Sequence, residues 1–218
     1  MNSKTILVIS IASVFVIGML SMQLGIADAA ASFLDVKKAT ILTDSSEVEK
    51  AIFNTKSNIP TDGSGGAFGY GYISGAGLEA IAVTTTHGGV QDSEAQTDAD
   101  DPVWHNHYVA LQQLDDDAKC PGLEVRDITF EEPGDVDVTH KIAAMEDVPY
   151  YFAGTHSLSG ASISFNADGN IGAAVSFTIN PVDGNGDTSL TDIQAVCIND
   201  VAFVDEKDLK VREVSKIL

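Results

Sequence analysis

Residues 136–142 read Val-Asp-Val-Thr-His-Lys-Ile and alternate two kinds of side chain with a period of two. Successive side chains of a β-strand point to opposite faces, so Val136, Val138, His140 and Ile142 would share one face. The other face would carry only polar and charged side chains. The pattern therefore predicts a half-buried strand, with His140 in the core or at its rim.

Short β-rich runs recur from Ala67 onward and are separated by turn-forming clusters of Gly, Asn, Asp and Ser. Many short strands with few helices are typical of β-sandwiches and jelly rolls. The sequence therefore predicts an all-β fold, a single β-sandwich or jelly-roll-like domain over residues 67–206. The predicted strands are 67–74, 78–87, 103–112, 123–131, 136–142, 148–153, 158–165, 171–179 and 192–199.

One of the turn clusters, Asn-Ala-Asp-Gly-Asn at residues 166–170, contains an Asp-Gly pair. Asp-Gly between two β-rich runs is a strong hairpin signal, because its backbone adopts the turn that matches the twist of paired strands. We expect residues 162–165 and 171–179 to pair as a hairpin with Asp168 and Gly169 at its tip.

The segments that flank the predicted domain have a different character. Residues 32–66 are predicted to be a partly helical pre-segment followed by a linker, because Ser46 and Glu49 form a capping-box pair and Gly, Ser, Asn and Pro crowd its second half. The tail, residues 207–218, carries four of the twelve basic residues and is predicted to be an edge strand or a short helix. Three apolar residues recur at helical spacing in the pre-segment: Val48, Ala51 and Ile52.

The start of the chain has the organisation of an export signal. Lys4 precedes an uncharged run from Thr5 to Ala27, and small residues follow this run. Such a run is also long enough to span a bilayer as an uncleaved anchor. Residues 1–31 are therefore predicted to be a signal peptide or an N-terminal membrane anchor, and both alternatives place the rest of the chain outside the cytoplasm.

The negative charge of the chain disfavours anionic partners. Its 218 residues include 32 acidic and 12 basic side chains, for a net charge of −20, and 44% of the residues are hydrophobic. This hydrophobic content is that of a globular protein. An acidic protein repels phosphate backbones and anionic lipid surfaces. We therefore expect no nucleic-acid partner, and membrane contact only through the N-terminal segment.

The two cysteines, Cys120 and Cys197, fit an exported protein. In an oxidising compartment a single pair of cysteines usually forms a disulfide. The alternative is a thiolate metal ligand, but a type 1 copper site needs His and Met close after the cysteine. No His or Met follows Cys197, and His140 and Met145 lie far beyond Cys120. The sequence therefore favours the disulfide.

An acidic loop near residue 190 resembles a calcium-binding loop in its first half. Oxygen-bearing residues stand at positions one, three and five, as in an EF-hand. Thr188 then stands where the turn glycine belongs, and Gln194 where the final Glu belongs. A calcium site and a plain acidic connection between strands both stay open. The candidate ligands are Asp183, Asn185, Asp187 and Asp192.

Residues 104–108, Trp-His-Asn-His-Tyr, place His105 and His107 on one face of a predicted strand. If this strand pairs with the preceding one, His87 comes to lie beside them. Three imidazoles from two neighbouring strands are a ligand set for zinc and copper. The alternative is that the histidines pack at the rim of the sandwich. Carboxylates in the connecting loop could serve as a further ligand or support the imidazoles: Asp92, Glu94, Asp98, Asp100 and Asp101.

These features predict an exported, acidic β-sandwich protein that binds copper or zinc through a three-histidine cluster, as a carrier, a sensor or a metal centre. The alternative function is a cell-surface interaction module that binds calcium or a protein partner without catalysis. Nucleophile elbows, phosphate loops and zinc-protease motifs are absent from the sequence, so whether the protein is an enzyme stays open.

Overall fold

The computed structural model describes residues 31–88, 101–113, 119–184 and 193–214, and this part of the chain is nearly all β. Two single 3-10 turns, Gly77–Glu79 and Glu206–Asp208, are its only helical segments. The strands are β1 (Val36–Thr43), β2 (Glu47–Thr55), β3 (Ala67–Ile73), β4 (Ile81–His87), β5 (His105–Gln113), β6 (Leu123–Ile128), β7 (Asp135–Thr139), β8 (Ile142–Pro149), β9 (Tyr151–Thr155), β10 (Ser162–Asn166), β11 (Ala173–Asp183), β12 (Ile193–Phe203) and β13 (Leu209–Glu213).

The strands form a closed barrel and an open sheet. Six strands close the barrel in the order β11-β12-β6-β5-β4-β3, and β3 pairs with β11 to complete it. The open sheet has the order β13-β1-β2-β8-β7, and β9 and β10 form a separate hairpin. The all-β prediction is confirmed, and the arrangement is a sandwich in which one of the two layers is a barrel.

Two large apolar clusters fill the described structure because the barrel wall is buried on both faces, and a small third cluster surrounds the two cysteines. The larger cluster lies between the open sheet and the outside of the barrel, where Phe53 and Met145 meet Phe68, Tyr70 and Tyr108. The smaller cluster draws on all six barrel strands and fills the barrel interior. Its fully buried members are Ile81, Val83, Val109, Leu111, Val175 and Phe177.

The tyrosines of the larger cluster make stability sensitive to alkali. Burial raises the pKa of Tyr108 to about 12, whereas a tyrosine of the unfolded chain has a pKa of about 10. The unfolded state therefore loses its proton first, and the free energy of unfolding falls as pH rises from about 10 towards 12. For Tyr108 alone the loss by pH 12 is on the order of 3 kcal/mol.

We expect the urea midpoint to fall between pH 9 and pH 11.5, and to fall less in Tyr108→Phe, which has no phenol to ionise. Tyr151→Phe is the matched control, because Tyr151 is exposed. Equal pH slopes in the two variants would show that Tyr108 does not cause the effect.

The pre-segment is not helical, which corrects the prediction for residues 32–66. Residues 36–55 form the hairpin of β1 and β2, and β2 pairs with β8 in the open sheet. Of the two residues that resemble a capping box, Ser46 belongs to the turn of this hairpin and Glu49 lies in β2. The carboxylate of Asp44 accepts hydrogen bonds from the backbone N–H groups of Ser46, at 2.7 Å, and Glu47, at 2.9 Å.

A bulge in β2 produces the apparent helical spacing. Thr43 pairs with Val48, whereas Leu42 pairs with Lys50, so Glu49 is an extra residue in the strand. A bulge shifts the phase of the alternation by one residue. Val48 and Ala51 consequently face the same core although three positions separate them.

The predicted hairpin around Asp168 is also wrong. β10 pairs with β9, and β11 pairs with β3 and β12. The Asp168 carboxylate accepts hydrogen bonds from the backbone N–H of Asn170, at 3.0 Å, and from that of Gly75, at 2.9 Å. The Asp-Gly turn therefore carries the chain from one sheet to another, and a long-range contact holds it there.

Cys120 and Cys197 form the predicted disulfide, which ties the chain before β6 to β12. Both sulfur atoms are buried, and the Cα atoms are 5.3 Å apart. The bond is confirmed, and it indicates an oxidising environment. It also excludes these two cysteines as thiolate ligands, which leaves histidine as the candidate ligand type.

The structure describes most of the C-terminal tail but little of the N-terminal segment. The predicted signal peptide or anchor, residues 1–31, lies outside the described residues except for Ala31. Within the described ranges, no helix has the length and apolar character needed to cross a membrane. In the basic tail, residues 209–213 form β13, which pairs in parallel with β1 at the edge of the open sheet.

Candidate metal centre

The three histidines predicted as ligands lie on neighbouring strands of the barrel. β4 and β5 are antiparallel, and Thr85 pairs with His105 while Val83 pairs with His107. His87 ends β4, so it extends beyond this register on the same face as Thr85 and Val83. That face also carries the apolar cluster of the interior. The imidazoles therefore lie at one end of the barrel interior.

The imidazoles form a compact triangle. The ring centroids are 4.7 Å apart for His105 and His107, 4.9 Å for His87 and His105, and 6.0 Å for His87 and His107. One nitrogen from each ring lies within 4.8 Å of the other two. Metal–nitrogen bonds of about 2.0–2.1 Å bring such nitrogens to roughly 3.4 Å apart, which small ring rotations achieve. The predicted convergence of the three side chains is confirmed.

The hydrogen bonds of His107 leave one of its nitrogens available as a ligand. Its Nδ1–H donates to the backbone carbonyl of Thr129 at 2.7 Å. A carbonyl only accepts, so the proton is on Nδ1 and Nε2 keeps its lone pair. This Nε2 is buried and has no hydrogen-bond partner among the described residues. A backbone carbonyl on one ring nitrogen with the other nitrogen free is the arrangement that orients metal-binding histidines.

The other two histidines are held by their surroundings. His105 is fully buried, whereas His87 stands at the barrel mouth and keeps part of its surface exposed. The hydroxyl of Thr85 lies 2.9 Å from Nε2 of His87 and fixes the orientation of that ring. The buried rings thus define the floor of the site, and His87 defines its entrance.

The barrel environment keeps the imidazoles of His87 and His107 neutral. Burial, and then repulsion from His105, lowers the pKa of His87 to about 3. Burial also lowers the pKa of His107 well below its usual value, and the neighbouring His105 and His87 add to this. Only a neutral imidazole donates an electron pair to a metal. The lone pairs are therefore available at neutral pH without removal of a proton.

A glycine on β3 allows its neighbouring strands to approach closely beside the histidines. Gly69 pairs with Thr85 on one side and with Phe177 on the other. A Cβ atom at Gly69 would lie 2.5 Å from the backbone oxygen of Thr84 and 2.9 Å from Cζ of Phe177. No side chain fits there, so close packing at Gly69 sets how near β3 lies to its two neighbouring strands in the barrel. Sequence reasoning did not single out this glycine.

The other predicted cation ligands do not join this site in the described part of the chain. Asp183 ends β11, and the rest of its loop, including Asn185, Asp187 and Asp192, lies outside the described residues. Of the acidic loop before β5, only Asp101 is described, and its carboxylate accepts a hydrogen bond from the backbone N–H of Val103 at 3.0 Å. Outside the described residues lie Asp92, Glu94, Asp98 and Asp100.

Sequence reasoning missed a second group of acidic residues. Asp44, Glu47 and Glu49 bring one carboxylate oxygen each within 4.8 Å of one another at the turn between β1 and β2. Asp44 already shapes this turn through its hydrogen bonds to the backbone. All three side chains are half-buried. The sequence pattern of Ser46 and Glu49 predicts a helix start here, and the hairpin turn that brings the three carboxylates together is not apparent from it.

The remaining histidines are structural or exposed. His140 occupies an exposed turn between β7 and β8 with a φ of 53°, so its prediction as a core or rim residue is wrong. His156 also lies at a turn, where its Nδ1 accepts a hydrogen bond from the backbone N–H of Leu158 at 3.1 Å. Its Nε2–H donates to the carbonyl of Arg126 at 3.3 Å, so both nitrogens have partners.

Comparisons with protein-family models, with curated proteins and with solved structures found no match to this chain.

Proposed function

We propose that this protein binds a transition metal, copper or zinc, through His87, His105 and His107, as a carrier, a sensor or a metal centre. The observation that carries the proposal is the buried Nε2 of His107, which has no hydrogen-bond partner in the described structure and faces two further imidazoles. A buried polar atom without a partner costs about 1–3 kcal/mol. A metal ion offsets this cost because it accepts the lone pair.

The alternative explanation, a purely structural histidine cluster, accounts less well for the geometry. Burial lowers the pKa values of His87 and His107, so a structural cluster would hold two imidazoles in an apolar interior without their charged forms. Apolar side chains of similar volume would fill the same space at lower cost. The calcium- or protein-binding alternative depends on Asp183, Asn185, Asp187 and Asp192 and stays a prediction.

The direct test is thermal unfolding of protein purified without a histidine tag and treated with a chelator, with and without Zn(II) or copper. A metal at 100 times its Kd adds about 2.7 kcal/mol to the free energy of unfolding. For a domain of this size the midpoint should rise by about 5–10 °C. The proposal is wrong if neither metal raises the midpoint of the wild type.

Two variants test whether the metal-dependent rise of the unfolding midpoint arises at the three histidines. His107→Leu removes the nitrogen with the free lone pair and should abolish the metal-dependent rise. His140→Asn is the matched control, because His140 is exposed and Asn tolerates a positive φ. It should keep the full rise. An equal rise in His107→Leu would place the metal elsewhere.

The metal-free stability of His107→Leu separates a metal ligand from a structural residue. Leu fills the space with an apolar side chain and removes the unpartnered Nε2. The Thr129 carbonyl stays satisfied because it also accepts a hydrogen bond from the hydroxyl of Ser157 at 2.7 Å. We therefore expect the free energy of unfolding to stay within about 1 kcal/mol of wild type or to rise. A loss of several kcal/mol in urea titrations would indicate a structural role.

A further inference from the structure

We propose that two copies of this protein associate face to face through the outer face of the open sheet. This outer face is the side of the sheet that lies opposite the large apolar cluster between the sheet and the barrel. The inference is independent of the proposed metal binding, because none of the three histidines lies on this sheet. It adds a partner, a second copy of the chain, that the metal site does not imply.

Basic side chains lie at one edge of the outer face, on β13. Ile41 of β1 is fully buried, so its neighbours Thr40 and Leu42 point outward. Paired residues of adjacent strands point to the same side of a sheet. Lys210 therefore lies beside Thr40 on the outer face, and Arg212 lies beside Leu42. Both basic side chains are exposed, and neither forms an ion pair within the described part of the chain.

Acidic side chains lie at the opposite edge, on β7. Met145 of β8 is fully buried and pairs with Val136 of β7. The neighbours of Val136, which are Asp135 and Asp137, consequently point outward. Both carboxylates are exposed. The outer face therefore has a positive edge, β13, and a negative edge, β7.

The strands between these edges present a mixed surface. Lys50 of β2 forms an ion pair with Glu146 of β8, its partner in the ladder. Ile52 and Ile142 lie on the same side of these strands, and Ile142 is 41% exposed. An acidic group that includes Glu47 lies beyond this region, at the turn between β1 and β2. Apart from that turn, the middle of the outer face offers apolar contact area and a neutralised pair of charges.

The two charged edges are aligned with each other across the sheet. Successive ladder pairs connect Lys210 to Asp137 in one row of outward positions. They connect Arg212 to Asp135 in the next such row. A basic side chain at one edge therefore stands level with an acidic side chain at the other edge, twice along the strands.

This charge pattern fits a second copy of the chain better than a partner of uniform charge. A polyanion would be attracted to β13 and repelled by β7, and a polycation would meet the reverse. A second copy that is rotated by 180° about an axis parallel to the strands places its β7 opposite β13 of the first copy. Lys210 then faces Asp137 of the second copy. Arg212 faces Asp135 of the second copy, and the symmetry repeats both contacts.

The size of the outer face predicts a weak dimer. Five strands of five to nine residues, about 4.8 Å apart with about 3.3 Å per residue, cover roughly 500 Å² per copy. An interface of about 1,000 Å² in total is typical of weak, transient complexes. The net charge of −20 adds repulsion between copies, which physiological salt screens beyond about 8 Å. We expect a Kd of about 10–100 µM at this salt concentration.

Sedimentation velocity of the untagged protein over about 10–500 µM measures the association. We expect dimerisation that increases with concentration at about 0.15 M salt. It should weaken by about 10-fold at 1 M salt, where the screening length of about 3 Å reduces the attraction between the facing charges.

Zero-length cross-linking tests the orientation of the two copies. A carbodiimide joins an amine directly to a carboxylate, and we expect it to link Lys210 to Asp137. Within one copy these residues lie on the two edge strands, four strand spacings or roughly 19 Å apart. This link therefore forms only between copies, and mass spectrometry of the digested dimer identifies it. A dimer that lacks this link and the link between Lys210 and Asp135 would overturn the proposed orientation.

Charge exchange makes the test specific. Lys210→Glu places like charges opposite each other and should weaken dimerisation by about 10-fold or more, as should Asp137→Lys. The double variant Lys210→Glu, Asp137→Lys should restore dimerisation, because both copies exchange the two charges. Lys207→Glu is the matched control, because it makes the same change of charge at an exposed side chain of a 3-10 turn outside the sheet.

Three outcomes would overturn the proposal. The first is a wild type that stays monomeric over the whole concentration range. The second is a dimer that Lys210→Glu and Asp137→Lys weaken no more than Lys207→Glu does. The third is a monomer that binds an anionic polysaccharide column and loses this binding in Lys210→Glu, which would assign the basic edge to a polyanion.

Discussion

Gly69→Ala is expected to lower the free energy of unfolding by about 3 kcal/mol or more. The added Cβ would lie 2.5 Å from the backbone oxygen of Thr84, 2.7 Å from Cγ2 of Thr85 and 2.9 Å from Cζ of Phe177. A backbone oxygen in a closed barrel cannot move without breaking strand pairing on both sides. The measurement is the urea denaturation midpoint and slope, with strand content followed by circular dichroism.

Gly172→Ala is the matched control for this substitution. The same atom is added just before β11, but its nearest neighbour is the Ile73 backbone oxygen at 3.9 Å, and φ is not positive. It should be neutral or stabilise by about 0.4–1 kcal/mol, because alanine restricts the unfolded chain. Equal losses in both variants would contradict the view that close packing at Gly69 sets the width of the barrel.

Gly69→Ala should also weaken the metal site. Thr85 contacts both the new Cβ and the ring of His87, so any shift that relieves the overlap changes the orientation of that ring. We expect metal affinity to fall even under conditions where the variant remains folded. Unchanged affinity in the folded variant would show that Thr85 does not position His87.

Removal of the disulfide is expected to lower the free energy of unfolding by an amount similar to that expected for Gly69→Ala. Cys120 and Cys197 are 77 residues apart in the sequence. In the chain-entropy model, a loop of this length stabilises the folded state by about 4 kcal/mol. The double variant Cys120→Ala, Cys197→Ala should lose this amount in urea titrations, and wild-type protein treated with dithiothreitol should behave in the same way.

The metal site provides the control for this experiment. Because the ligands are imidazoles, the double variant should keep its metal affinity at temperatures where it is folded. Unchanged stability of the double variant would mean that strand pairing alone closes this loop. A loss of metal binding in the folded double variant would contradict the assignment of the three histidines as the whole protein-derived ligand set.

Much of the fold follows from the sequence because strand formation here is a local property. Both faces of the barrel wall are buried, so nearly every residue of β4 and β5 is buried and neither strand contains an acidic or basic side chain other than histidine. β1 and β2 were missed because the bulge at Glu49 imitates helical spacing. The Asp168 turn was misassigned because its partner Gly75 is 93 residues away, and no local pattern reports such a contact.

The candidate metal site also combines features that the sequence predicts with features that it does not predict. The convergence of His87, His105 and His107 follows from two features that the sequence predicts. These are the two-residue period of a strand and the pairing of neighbouring strands. The features that make the cluster suited to a metal come from distant parts of the chain. Thr129 fixes the protonated nitrogen of His107, and Gly69 packs against Thr85, whose hydroxyl contacts His87. Neither residue carries a signal in the sequence that connects it with the histidines.

The parallel pairing of β1 with β13 has a consequence for the order in which the protein folds. Ala39 pairs with Leu209, and β3 closes the barrel by pairing Phe68 with Thr178. Each pairing joins strands whose synthesis is separated by more than a hundred residues. Folding dominated by such distant contacts is slow, because loop closure precedes the stabilising contacts. A chain that emerges from its N-terminal end therefore cannot close the barrel or complete the open sheet until most of its length is available.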